Sequence, residues 1–220
     1  MKPQATAIMA GLILAWTATT GAAADDDASW TARPGRDGVS LATRERAGSK
    51  IREIRAIAEI DAPPERVLAV LADIERYPQI MPPTEQARLL RSDENGAVYY
   101  MEINPPVVAR RDYCFRVAFD HLPDGKLRSH WVAENSGCLP ERSGIVRVRS
   151  TDGQWVLSPQ GDGRRTLAEY RCHIEVGGQV PAWMVNSGSV NQLPDVINSL
   201  RRAVMQPRYA ACAPTPTGCK

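Results

Sequence analysis

The feature that most constrains the fold is a run of strand-like segments, separated by turn signals, that ends in one helical segment. Seven such segments follow one another after residue 84, and residues 110–122 and 165–176 alternate with the period of two that is typical of half-buried strands. Turn signals such as Asn95-Gly96 and Asp152-Gly153 predict hairpins between several of them. The predicted strands are Glu85–Arg91, Ala97–Ile103, Arg110–Leu122, Lys126–Glu134, Ile145–Ser150, Gln154–Ser158 and Arg165–Val176.

The last segment has the spacing of an amphipathic helix, with Leu193, Ile197, Leu200 and Val204 on one face and Pro181 near its start. A strand over residues 50–61 and a shorter helix precede the run of strands. Consecutive hairpins predict an antiparallel sheet, and a twisted sheet must cover its apolar face. We therefore expect an α+β fold in which a strongly curved antiparallel β-sheet wraps around a long C-terminal α-helix. Such a sheet leaves space for an internal ligand.

The first 24 residues have the layout of a cleavable secretory signal. Lys2 precedes an apolar run over residues 8–18, and Ala22-Ala23-Ala24 forms a small-residue cleavage site. The apolar run falls short of the roughly 20 residues that span a bilayer, which favours cleavage after Ala24 over a membrane anchor. The mature protein is therefore expected in the periplasm or outside the cell.

The rest of the chain divides into three parts by composition. Residues 25–49 are interpreted as a leader with a short helix over Val39–Arg46, residues 50–206 as one ligand-binding domain, and residues 207–220 as a tail that contains Pro and Cys. The 27 basic and 25 acidic residues leave a net charge of +2, which gives no basic excess for a nucleic-acid partner.

The cysteines are five, an odd number, and their pairing stays open. Cys212 and Cys219 either close a small disulfide loop in the tail or are ordinary small residues. No Cys-x-x-Cys pair, no spaced histidine pair and no Gly-x-Ser-x-Gly turn is present, so neither a metal site nor a catalytic residue is predicted.

Four motifs resemble those of START (StAR-related lipid-transfer) domains. An Arg-Asp-aromatic strand start, a Pro-Glu-x-x-Gly-x-x-Arg stretch, a Gly-x-φ-Pro-x-Trp-φ-φ-Asn entry to the last helix (φ being apolar) and a Leu-Arg near its end occur in the family's order. The matching segments are residues 108–113, 140–147, 178–186 and 200–201. The resemblance spans about residues 50–202, and the pattern is most similar to the steroidogenic acute regulatory group.

This resemblance implies a helix-grip fold and a cavity that holds a lipid or sterol-like molecule. It implies no cofactor, and it allows transient contact with a membrane. The lack of catalytic motifs predicts that the protein is not an enzyme. It also implies a loop that opens against the C-terminal helix, here Asn135–Ser143. Glu102 lies near the position of a buried acid in sterol-binding members, whereas Val117 stands at the position of its arginine partner.

Ten residues are predicted to contact the ligand: Tyr100, Glu102, Tyr113, Phe115, Val117, Trp131, Trp155, Tyr170, Met184 and Val185. The aromatic residues among them fit plain core and cavity wall equally well, because one sheet face serves both. Alternation favours a solvent-facing Glu102 over a head-group anchor. Arg111 and Asp112 are interpreted as a structural pair near a strand end.

Two alternative functions stay open. A cyclase or aromatase-type enzyme would need polar groups such as His130, Glu102 and Arg116 to converge in the cavity. A regulatory module that senses a lipid would instead expose an apolar patch to a protein partner.

Overall fold

A computed structural model describes residues 29–106 and 108–210, together with the backbone of residues 214–215 and 218–219. The predicted signal segment and the side chains of Cys212 and Cys219 lie outside these residues, so the cleavage site and the tail disulfide stay predictions.

The strands and helices follow the predicted order, with two additional strands at the start and two short ones in the tail. The strands are β1 (Thr31–Arg33), β2 (Val39–Arg44), β3 (Glu53–Ile60), β4 (Thr84–Asp93), β5 (Gly96–Ile103), β6 (Arg111–His121), β7 (Leu127–Ala133), β8 (Val146–Arg147), β9 (Ser150–Gln160), β10 (Arg165–Glu175), β11 (Pro214–Thr215) and β12 (Gly218–Cys219). The helices are α1 (Pro64–Ala72), α2 (Tyr77–Ile80) and α3 (Ala182–Ala203), and 3-10 turns cover Ile74–Arg76, Pro123–Gly125 and Pro207–Tyr209.

One sheet has the strand order β1-β2-β3-β10-β9-β7-β6-β5-β4, and every neighbouring pair in it is antiparallel. The short β8 runs parallel to the first residues of β6, on the edge that β7 occupies further along. A large core cluster joins α1 and α3 to β3, β9 and β10. The predicted α+β architecture, a sheet packed on a long C-terminal helix, is confirmed.

Pro194 divides α3 into two halves that differ in burial. The half from Leu193 onward packs into the core through Ile197 and Leu200. In the half that precedes Leu193, one residue, Val185, is buried. Proline has no N–H to bond the carbonyl four residues earlier, which weakens a helix at that point. The first half of α3 is therefore held less firmly than the second.

Two sequence predictions about local structure are wrong. Residues 39–44 form strand β2 and not a helix, because Val39, Leu41 and Thr43 point inward and pair along β3. The sheet consequently begins before residue 50, within the predicted leader. Asp152-Gly153 is no turn either, since β9 continues straight through both residues.

Candidate functional site

A cavity of about 530 Å³ lies between the inner face of the sheet and the first half of α3. Its walls come mainly from β5, β6, β7, β9 and β10, with residues 183–196 of α3 opposite them. Most lining side chains are aliphatic or aromatic. The size and lining suit a small hydrophobic ligand, for which binding pockets range over about 300–1,000 Å³.

Three aromatic rings in contact with one another form one side of the cavity. Tyr170 lies 4.8 Å from Trp155 and 5.8 Å from Trp131, measured between ring centroids. Trp131 can cross β9 because its cross-strand partner is Gly153, and a Cβ placed there would lie 2.4 Å from Cζ2 of the indole. A glycine inside a strand here allows a close approach.

Several polar groups of the lining are satisfied within the protein. The Tyr113 hydroxyl donates to Sδ of Met101 (3.1 Å), the Tyr77 hydroxyl to the Leu71 carbonyl (2.8 Å), and the Thr151 hydroxyl to the His173 carbonyl (3.1 Å). Burial raises the pKa of Tyr113 and Tyr77 well above the ordinary value, so both hydroxyls stay neutral even at an alkaline pH at which a free tyrosine ionises. These groups leave the cavity mostly apolar.

The rim of the cavity lies where residues 104–106 and 108–110, between β5 and β6, approach the start of α3. Pro105, Pro106 and Val108 line it on one side, and Trp183 lines it on the other while keeping 70% of its surface exposed. Asn186 fastens this end of α3 to the residues just before β3. Its Oδ1 accepts from the Arg52 amide at 2.9 Å, and its Nδ2 donates to the Lys50 carbonyl at 3.2 Å.

A family model described as "Polyketide cyclase / dehydrase and lipid transport" matches residues 60–201. The chain belongs to this family.

Two curated proteins show how far the similarity extends. An uncharacterized protein of Pseudomonas aeruginosa is 29% identical over 175 residues, which cover 79% of this chain and 86% of that protein. The phosphatidylcholine transfer protein of Homo sapiens is 29% identical over 122 residues, which cover 52% of this chain and 56% of that protein. The chain thus matches little more than half the length of the human relative.

Solved structures with the same fold include START proteins. A fragment of a STAR-related lipid transfer protein from Xanthomonas axonopodis superposes with a TM-score of 0.73 at 28% identity, covering 81% of this chain and 99% of that one. Human STARD10 superposes with a TM-score of 0.73 at 19% identity, covering 82% and 75%. The resemblance to START domains and the helix-grip fold that it implies are confirmed.

In this START-type domain, eight of the ten predicted ligand residues line the cavity. They are Tyr113, Phe115, Val117, Trp131, Trp155, Tyr170, Met184 and Val185. The structure places all eight side chains in the wall of the same cavity, and their contact with a ligand stays a prediction.

Tyr100 and Glu102 lie on the opposite face of β5, away from the cavity, so the prediction that they line it is wrong. Glu102 does not face solvent either, because only 4% of its surface is exposed. Arg142 covers both residues: its Nη2 donates to the Tyr100 hydroxyl at 2.5 Å and to Oε2 of Glu102. Burial raises the pKa of Tyr100 to about 12.

The loop Asn135–Ser143, expected to open against α3, is fastened to the outer face of the sheet instead. A disulfide joins Cys138 to Cys114 on β6, and the Leu139 carbonyl accepts from Nη2 of Arg147 at 2.9 Å. None of residues 135–143, all of which the structure describes, lines the cavity. Five cysteines in the sequence left this pairing open.

Arg111 and Asp112 do not form the expected structural pair, because successive strand residues point to opposite faces. Asp112 pairs with Arg147 on the outer side, whereas Arg111 lines the cavity with Tyr113 and Phe115. Sequence reasoning missed this arginine, although the alternation that placed Tyr113 inward also places Arg111 there.

The polar residues considered for catalysis do not meet in the cavity. His130 lies 3.1 Å from Asp120, Arg116 pairs with Asp93, and Glu102 sits under Arg142 on the outer face. None of the three candidates lines the cavity. Across residues 29–106 and 108–210, no group of three His, Cys, Asp or Glu side chains could hold a metal ion. Among the described helices, none is both long and apolar enough to cross a membrane.

Proposed function

We propose that this protein binds one lipid-like molecule in its cavity and carries it, without catalysing a reaction. The observation that carries this proposal is the apolar 530 Å³ cavity in a family whose description includes lipid transport. The relatives named for phosphatidylcholine transfer and STAR-related lipid transfer support the same function. The separation of His130, Arg116 and Glu102 from the cavity favours a carrier over a cyclase or aromatase-type enzyme.

Affinity comes mainly from removing apolar ligand surface from water. Each buried methylene contributes about 0.8 kcal/mol, so a chain of about ten methylenes supplies about 8 kcal/mol before the costs of association. The eight lining residues named above provide that contact. Ordering the ligand costs part of this energy, and a preformed cavity keeps that part small.

The ligand enters at the rim, where residues 104–106 and 108–110 approach the start of α3, in contact with a membrane. Trp183 supports this route, since indole rings favour membrane–water interfaces and this one is exposed beside the cavity. We expect Trp183→Ser to reduce co-sedimentation with lipid vesicles. Met205→Ser is the matched control, because Met205 is 65% exposed but lies beyond the other end of α3. Equal effects of both changes would contradict this route.

The protein works in the periplasm or outside the cell. The signal-like residues 1–24 support this location, and so does the Cys114–Cys138 disulfide, since disulfides persist in oxidising compartments.

Native mass spectrometry of protein purified from its own periplasm, followed by solvent extraction, tests the proposed function. We expect one lipid-like molecule per chain. A protein that arrives empty and takes up no lipid from vesicles would exclude the carrier function and would favour the sensor or the enzyme.

A further inference from the structure

Arg111 is a buried cation in the wall of an apolar cavity. It begins β6 directly after residues 108–110, and only 3% of its surface is exposed. Its side chain shares the inner face with Tyr113 and Phe115, and all three line the cavity. A charge in this position loses hydration, which is costly unless a partner replaces the water.

Arg111 has no acidic partner among the residues that the structure describes. Its recorded bond is from Nη1 to the Ala109 carbonyl two residues earlier. Neighbouring arginines differ in this respect: Arg110 pairs with Glu85 at 3.3 Å, and Arg147 pairs with Asp112 at 2.7 Å. A guanidinium has five donor hydrogens, so a single carbonyl leaves most of them without an acceptor.

The guanidinium nevertheless keeps its charge. Burial lowers the pKa of Arg111 from the ordinary value, but arginine is not deprotonated in proteins near neutral pH. The cavity lining has no Asp or Glu to balance it. The positive charge is thus available to a molecule that enters the cavity.

Arg111 lies at the rim end of the cavity, and aromatic rings line the remainder. The start of β6, the end of β5 and the start of α3 meet at this end, where Ile103, Val108 and Trp183 also line the cavity. Trp131, Trp155 and Tyr170 lie further along the strands. A molecule with a charged head and an apolar tail would therefore lie with its head at the rim.

We propose that Arg111 binds the oxyanion of an amphiphile, a carboxylate or a phosphate, whose hydrocarbon chain fills the cavity. This inference rests on the proposed function and adds the charge of the ligand and its orientation. The planar guanidinium can donate two parallel hydrogen bonds to either oxyanion, whereas an uncharged head such as an ester has no pair of anionic oxygens to accept them. A free anion alone does not suit a site whose other walls are mostly apolar.

The test compares ligands that share one chain and differ in the head: dodecanoate, dodecyl phosphate and methyl dodecanoate. Their dissociation constants are measured at pH 7.5 by displacement of Nile red, a neutral dye. We expect at least one anionic ligand to bind about ten- to a hundred-fold more tightly than the ester, because a charge-assisted hydrogen bond increases affinity by about this factor. Inorganic phosphate should not displace Nile red. If phosphate displaced the dye and none of the three dodecyl ligands did, the inference that the ligand is an amphiphile would be overturned.

Two variants locate the effect. Arg111→Gln should bind all three ligands about as tightly as the unchanged protein binds methyl dodecanoate. Arg111→Lys should keep part of the preference for the anionic ligands. Arg110→Gln is the matched control, since Arg110 is adjacent but 52% exposed and absent from the cavity lining. It should bind like the unchanged protein. Circular dichroism checks that each variant is folded.

The outcomes separate this inference from the proposed function. Equal affinity of the unchanged protein for the ester and for both anions would overturn the role of Arg111 and leave the carrier function standing. That comparison needs no variant, so it decides even if Arg111→Gln does not fold. A protein that binds none of the three ligands would contradict the proposed function itself.

Discussion

Arg147 and Asp112 form a buried ion pair through two hydrogen bonds, from Nε to Oδ1 at 2.7 Å and from Nη2 to Oδ2 at 3.0 Å. Their side chains are 7% and 1% exposed. The pair joins β8 to the first residues of β6, and Nη2 of Arg147 also holds the loop before β8 through Leu139. A local salt bridge thus fixes a segment of chain on the outer face of the sheet.

Removing the charge of Asp112 should destabilise the protein strongly. Asp112→Asn leaves the buried guanidinium of Arg147 without its counter-charge, and breaking such a pair costs about 3–5 kcal/mol in free energy of unfolding. Urea denaturation measures the change. Asp93→Asn is the control, because Asp93 bonds Arg116 at a similar distance, 2.7 Å, but is exposed to solvent. An equally large loss in both variants would contradict a special role for burial.

Reducing the Cys114–Cys138 disulfide should also lower stability. The bridge joins residues 24 positions apart, and closing a loop of that length stabilises a fold by about 3.5 kcal/mol in the chain-entropy model. We expect Cys138→Ser to show a lower urea midpoint, and a reductant to lower the midpoint of the unchanged protein but not of the variant. Peptide mapping without reductant should find these two cysteines linked. Finding either one linked elsewhere would refute the pairing.

A methyl group at Gly153 should reduce the capacity of the cavity. The added Cβ would meet Cζ2 of Trp131 at 2.4 Å and the Arg171 carbonyl at 2.5 Å, so both the indole and the backbone of β10 would have to move. We expect Gly153→Ala to bind less lipid and to be less stable. Gly188 on α3 also lines the cavity, but a Cβ added there meets nothing within 4 Å, so Gly188→Ala should raise stability by about 1 kcal/mol. Unchanged lipid uptake by Gly153→Ala would argue against the indole as part of the wall.

The thiol of Cys172 should make stability depend on pH in the alkaline range. Burial raises its pKa from 9.0 to about 11, so between these values the unfolded chain ionises the thiol while the folded protein keeps it neutral. The contribution to stability is complete below pH 9 and is lost as the pH rises through about 11. We expect the advantage of the unchanged protein over Cys172→Ala in urea midpoint to shrink between pH 8 and pH 10. A constant difference would speak against this titration.

Cys172 lines the cavity, and the same burial should protect its thiol from reagents. At pH 8 an alkylating reagent should label its peptide in urea but not in the native protein, as mass spectrometry of the digest would show. Labelling at the same rate in native buffer would mean that the cavity admits the reagent freely.

The sequence predicted the parts of the fold that depend on neighbours along the chain. Alternation placed Tyr113, Phe115 and Val117 on one face of β6, and the structure agrees because side-chain direction in a strand is a local property. It also placed Glu102 opposite Met101. Short segments were less certain: residues 39–44 are too few to separate a strand from a helix, and Asp152-Gly153 resembles a turn wherever it occurs.

What the sequence could not show depends on contacts between distant residues. Glu102 is buried because Arg142, forty positions away, folds over it. The loop 135–143 lies outside the cavity because Cys138 is bonded to Cys114, and no spacing rule selects that pair from five cysteines. The cavity itself follows from how the sheet and α3 meet, which no single segment specifies.

The contact between Trp131 and Gly153 has a consequence for the relatives of this chain. The ring occupies the space that any side chain at position 153 would need, so the two positions cannot change independently. We expect an alignment to show glycine at 153 wherever 131 carries a large ring, and larger residues at 153 where 131 is small. Sequence changes at this one pair would alter the shape of the cavity. They would therefore change the range of molecules that different members of the family can bind.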